Sequence, residues 1–219
     1  MKNNSELQTD VQDAIKWEPS LHAAEIGVSV KDGVVTLSGT VDSYAKKHEA
    51  EKATKTVAGV KAIVEELDVH FPNSFSKNDN EIAAEVLKAF DSNWSVPADK
   101  VKVKVENGLV TLDGELHWNF EREAAKHAVR YLMGVKGVID NITIKSEVEN
   151  AVEKKAIESA LKRNWNIDDE DITVKADGHT ATLSGTVNSW YQRDEAGRIA
   201  WDAPGVWMVD NNLAINYKY

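Results

Sequence analysis

Cysteine is absent from the 219-residue sequence, so disulfide staples and thiol catalysis are excluded and the redox compartment is left open. Also missing is any apolar run of signal-peptide or transmembrane length; a bilayer-spanning helix needs about 20 such residues. The expected compartment is therefore the cytoplasm, or the periplasm if the chain is a processed form. Positive charge is short as well. Lysine and arginine number 26 against 36 aspartates and glutamates, a net charge of −10 spread along the chain. That balance repels nucleic acid unless a local basic face overrides it, so no nucleic-acid partner is expected.

What the chain has is repetition. "GVVTLSGTV" (33–41) returns as "GLVTLDGEL" (108–116) and "HTATLSGTV" (179–187). The strands carry Gly39, Gly114 and Gly185, and at a constant distance Gly59, Gly134 and Gly205 each precede a valine. Adding 75 carries the first copy onto the second, and adding 71 carries the second onto the third. Self-similarity of this kind has to be recognised before the rest is interpreted.

Each copy opens with an amphipathic helix, its face drawn by Val11, Ala14 and Ile15, by Val86, Ala89 and Phe90, or by Ile157, Ala160 and Leu161. A β-hairpin follows through Asp32-Gly33, Asn107-Gly108 or Asp177-Gly178. The third turn glycine stands one position early, which predicts a different hairpin register there. A second helix buries Ala50, Ala53 and Val57 and their counterparts, with Ser43 and Ser189 as N-caps and Asn119 as the substitute cap in the second copy. A last strand, 60–69, 135–144 or 206–215, closes the unit, and it could pair beside either hairpin strand. Gly39, Gly114 and Gly185 are expected to turn the chain where the hairpin leaves the sheet. Gly59, Gly134 and Gly205 are expected to end the second helix in a left-handed conformation.

The fold class is thus α+β: three tandem α-β-β-α-β units, 1–71, 78–146 and 147–219, each a small mixed three-stranded sheet with helices on one face. Units of this size are marginal alone, so packing between copies or between chains is expected. "FPNSFSKNDN" (71–80) reads as a joint. "SEVENAVEKK" from Ser146 reads as a capping box opening a continuous helix that couples the second and third units more rigidly.

The V-T-L-[SD]-G strand, the [DN]-G turn, a basic helix position (Lys47, Arg122, Arg193), small residues at Ala50, Ala125 and Ala196, and the final G-V together resemble the BON domain. The resemblance implies a non-catalytic module of osmotic and envelope stress, with phospholipid or membrane-surface binding. In one cytoplasmic relative it implies potassium binding.

The residues themselves offer little for catalysis. No histidine recurs between copies, and no nucleophile, base and orienting group share a useful spacing. Neither a cofactor nor a metal is expected: "DDED" (168–171) reads as a solvated turn, since consecutive carboxylates diverge and a hard cation needs six or more oxygens. "GVKG" (134–137) feeds a strand, unlike a KH-type clamp. Lys100, Lys102 and Lys104 alternate on what reads as a solvated strand face.

Seven tryptophans are the more informative feature. Trp17, Trp94 and Trp165 read as core lids. Trp118, Trp190, Trp201 and Trp207, with Arg122, Arg193 and Arg198, form the candidate lipid or partner surface. That surface would serve packing between units, self-association, or an interface where indole meets lipid and arginine meets phosphate. Three functions therefore compete: phospholipid association, potassium sensing, and chaperone-like assembly through the aromatic face.

Overall fold

Side chains that fold back on the backbone set where the helices begin. Asn3 accepts from the Glu6 N–H while the Glu6 carboxylate accepts from the Asn3 N–H, both at 2.9 Å. Asn78 and Glu81 repeat the arrangement in the second unit. Each such capping box satisfies two otherwise orphaned donors. Ser43 and Ser189 cap the second helices of their units. Trp118 occupies the equivalent place in the middle unit, and Asn119 does not cap. Instead the Glu121 carboxylate reaches back to the N–H groups of His117 and Trp118, at 3.1 Å each.

The computed structural model describes residues 2–71, 77–145, 152–164 and 171–216. The first unit runs α1 (Asn4–Trp17), β1 (Ile26–Lys31), β2 (Val34–Val41), α2 (Tyr44–Thr56) and β3 (Ala62–Val69). The second runs α3 (Asp79–Asp91), β4 (Val101–Glu106), β5 (Leu109–Leu116), α4 (Asn119–Arg130) and β6 (Gly137–Ile144). The third runs α5 (Lys154–Arg163), β7 (Ile172–Asp177), β8 (Thr180–Val187), α6 (Trp190–Trp201) and β9 (Met208–Ile215). Ser146 and its expected capping box, half of the 71–80 joint and most of 168–171 lie outside the described residues.

Each sheet is three-stranded, with the second hairpin strand central: antiparallel to the first and parallel to the last. The helices lay their apolar faces on one side of it. Val11 and Ile15 meet the layer of Val35, Leu37 and Leu67, all essentially inaccessible to solvent. The other two units repeat this with Val86 and Phe90 over Val110 and Leu112, and with Ile157 and Leu161 over Ala181 and Leu183. Fully burying one such side chain is worth about 1.5–3 kcal/mol.

Two local expectations are corrected. The third hairpin keeps the register of the others: Ile172 pairs with Gly185 and Asp177 with Thr180, matching Ile26 with Gly39 and Lys31 with Val34. Its loop is still two residues long. The first two turns have positive φ at both central residues, whereas the third has it only at Gly178, the pattern that separates type II′ from type I′. Moving the glycine changes the turn type and leaves the pairing alone.

The strand glycines do not mark the exit from the sheet either, because β2, β5 and β8 continue through them. A Cβ at Gly39, Gly114 or Gly185 would lie 2.2, 2.4 or 1.9 Å from the carbonyl oxygen of Glu25, Lys100 or Asp171. These carbonyls enter each sheet just before its first strand, and only glycine leaves them room.

Candidate functional site

The second helices α2, α4 and α6 are one element in three copies, and their first residues show how the units meet. Tyr44 packs against the core of the second unit, where its hydroxyl oxygen meets the backbone of Val138. Asn119 stands by the Asp202 carboxyl of the third unit, where it works against the rise that burial gives that group's pKa. Trp190 packs on the core of the first. Each unit therefore hands the same position to the next, and the third hands it back. Head-to-tail contacts of this kind close a ring when the rotation permits.

The far ends of the helices complete these seams. Lys55 pairs with Asp194 at 3.0 Å where α2 packs against α6. In the corresponding positions Arg130 acts on Tyr44 and His48, and Trp201 lies under Arg122. First and third units, the most distant in sequence, are thus directly joined.

The basic helix position has a structural use. Lys47 donates to the Leu67 carbonyl at 2.8 Å, and Arg193 donates to the carbonyls of Leu213 and Asn211 at 3.2 and 2.7 Å. Leu67 and Leu213 are equivalent in the repeat, so this side chain ties the crossover helix to its own last strand. Arg122 departs from the pattern. It donates to Asn119 at 2.5 Å and spreads over the Trp201 ring, 4.4 Å from the centroid. Its Nε is buried without a hydrogen-bond partner among the described residues.

Other expected surface residues are similarly engaged. Arg198 forms a ladder with Glu195 at 2.7 Å and Asp202 at 2.7 Å; the Glu195 hydrogen bond holds the guanidinium above, and the Arg198 hydrogen bond holds the carboxyl below, their ordinary ranges. Trp207 stacks flat on His179 with centroids 3.9 Å apart. The structure brings Arg122 and Trp201 together and places Trp190 on a different unit. Trp118 alone of the four tryptophans stands substantially exposed.

The lids are reversed. Trp17 and Trp94 are 85% and 92% exposed. Trp17 lies two residues beyond Ile15, about 200° around the helix from the buried face. Leu21 and Val96, equivalent in the repeat, fill the role expected of the tryptophans, at 7% and 6% exposure. Trp165 lies outside the described residues.

Between the three helices is a cleft of about 510 Å³. Its lining holds Lys52, Lys55, Arg122, Lys126, Arg130 and Arg198 against Glu51, Glu123, Asp194 and Glu195, a local excess of cations in a chain of net charge −10. Burial lowers the His48 pKa, and the Arg130 charge lowers it further. Burial also opposes the Lys55 charge, but Asp194 and Glu51 more than offset it and raise that pKa. The sequence reading missed Tyr44, His48 and Arg130. Aligning 44, 119 and 190 would have singled out the first of these.

Among the described residues no helix is long and apolar enough to cross a membrane, and no three His, Asp or Glu gather so as to hold a metal ion. The BON domain model matches residues 3–70, 78–146 and 151–217. Osmotically-inducible protein Y of Escherichia coli (strain K12) is 28% identical over 147 residues, covering 65% of this chain and 73% of that protein. An uncharacterized protein in the gshII 5′ region of Anaplasma centrale is 27% identical over 125 residues, covering 56% and 83%. A solved structure of CdsD, a structural protein of the type III secretion system of Chlamydia trachomatis, spans 95% of this chain and 91% of its own at 15% identity. Its TM-score of 0.26 establishes no shared arrangement. With the same family matched three times along nearly its whole length, the chain belongs to the BON domain family.

Proposed function

We propose that the chain is a non-catalytic stress-protection protein that binds phospholipid through the outward face of its second unit. The observation carrying this reading is an aromatic stripe on α4. Phe120 and Tyr131 are 49% and 56% exposed, and His127 lies between them with its ring 4.9 Å from that of Tyr131. Their spacing, i, i+7 and i+11, draws one line on the helix opposite Ala125 and Val129, which face the core. Trp118 and Met133 extend the apolar surface at the two ends.

Exposed aromatic rings on one helix face suit the headgroup boundary of a bilayer, where Phe120 can enter the acyl region and Tyr131 keeps its hydroxyl in water. The likeness to an osmotically inducible protein supports the stress-related part of the proposal, and the family supports the non-catalytic part.

Vesicle co-sedimentation tests it. The wild-type chain should pellet with phosphatidylglycerol-containing vesicles at low salt, and a Phe120→Ser, Tyr131→Ser variant should remain in the supernatant. Absence of wild-type pelleting would refute lipid binding. A concentration-dependent mass in solution would then support the assembly reading instead.

A further inference from the structure

The cleft between α2, α4 and α6 has a feature unique to the second unit. Arg122, Lys126 and Arg130 stand at i, i+4 and i+8 on the cleft-facing side of α4. The corresponding rows are Lys47, Glu51 and Lys55 in α2 and Arg193, Gly197 and Trp201 in α6. Like charges four residues apart destabilise a helix, so an unbroken row of cations facing a cavity is a local conflict unless something compensates it.

Protein carboxylates compensate it only in part. Lys126 has Glu123 at 2.9 Å and Asp140 at 3.5 Å. Arg122 has the same two carboxylates only at 3.9 Å, beyond hydrogen-bond reach, and its buried Nε donates to nothing among the described residues. Arg130 is half-buried and makes no hydrogen bond or ion pair among them. Its charge falls instead on Tyr44 and on the half-buried His48 of the first unit, which Glu51 and Glu49 also face.

We propose that this cleft binds a small soluble organic phosphate, with Arg130 as its anchor and Lys126 and Lys52 as flanking cations. Guanidinium is suited to phosphate because its planar fork matches two oxygens at once. The cavity volume lies in the ordinary range for small-molecule sites. Trp201 and Tyr191 in its wall offer apolar surface to an organic body. The mixed-charge lining gives an acyl chain no apolar groove, which favours a soluble anion over a lipid. All three units contribute to the site, so occupancy would also draw them together.

The test uses the full chain and isothermal titration with glucose 6-phosphate, with glucose as the uncharged control and phosphatidylglycerol vesicles as the lipid arm. Saturable binding of the phosphate and not of glucose is expected. It should weaken about tenfold in Arg130→Gln, the loss of one charge-assisted hydrogen-bonding pair, and stay unchanged in Lys102→Gln on the outer sheet face and in the Phe120→Ser, Tyr131→Ser variant. If Arg130→Gln does not fold, Lys126→Gln carries the same expectation. No saturation up to about 10 mM, equal affinity in both cleft variants and wild type, or binding only to vesicles would overturn the assignment. Because the lipid surface and the cleft are probed by different variants, failure of one leaves the other standing.

Discussion

The guanidinium of Arg122 lies 4.4 Å from the ring centroid of Trp201, across the seam between the second and third units. Equivalent basic residues in the other units hold their own last strands, so this one has exchanged a contact within its unit for one between units. A desolvated cation–π pair is worth about 0.5–2 kcal/mol. A double-mutant cycle on Arg122→Met and Trp201→Leu, followed by urea denaturation, should return a coupling energy in that range. A cycle that closes with no coupling would show that the stack contributes nothing to joining the units.

Trp190 belongs to the third unit yet packs against the first-unit core of Leu7, Val11 and Ile15 with its neighbours. Replacing a fully buried large aromatic by alanine typically costs about 3–5 kcal/mol, an upper bound for the half-buried Trp190. Trp190→Ala should therefore lower hydrogen-exchange protection in α1 and β2, nearly the whole chain away in sequence. Loss confined to α6 and β9 would mean that the indole supports only its own unit.

The units were legible in the sequence because glycines and apolar spacings report local backbone demands, and those demands recur. Val11 with Ile15 and Val86 with Phe90 are helix faces in any context, and the structure buries all four. How the units meet was not legible by the same means. At the first position of the second helix Tyr44 and Trp190 are aromatic while Asn119 is an amide, since each is matched to a different neighbour. Exposure of Trp17 and Trp94 was misread for a related reason. Indole hydrophobicity suggests burial, but helical phase and the smaller Leu21 and Val96 decide which residue closes the core.

Gly39 and Gly178 both have positive φ, yet they should respond oppositely to substitution. A Cβ at Gly39 would sit 2.2 Å from the Glu25 carbonyl oxygen, and neither strand can move away without breaking the pairing of Ile26. Gly39→Ala is expected to cost about 2 kcal/mol or more, as strain at a special backbone position does. Nothing lies within 4 Å of the Cβ position at Gly178, where φ is +56°. Asparagine tolerates that conformation, so Gly178→Asn should change the thermal midpoint little. Equal destabilisation by both would rule out the carbonyl contact as the reason for the strand glycine.

His48 gives the chain a pH dependence whose direction follows from its surroundings. Burial first, and then the charge of Arg130, depress its pKa below the ordinary 6.5. The unfolded chain therefore binds a proton at a pH where the folded chain still refuses one. Stability rises with pH wherever the unfolded state holds more protons, so this contribution is fully present above about pH 6.5 and is lost as pH falls from there toward the depressed value. Glu51, Glu49 and Lys55 also face the ring, the two carboxylates opposing the shift and the lysine reinforcing it. Urea midpoints measured at pH 7.5 and 5.5 should fall on acidification in wild type and fall less in His48→Gln. An equal drop in both chains would assign the effect to other groups. A saturating phosphate in the cleft should shrink the wild-type drop, because an anion beside Arg130 offsets one of the causes that keep His48 neutral.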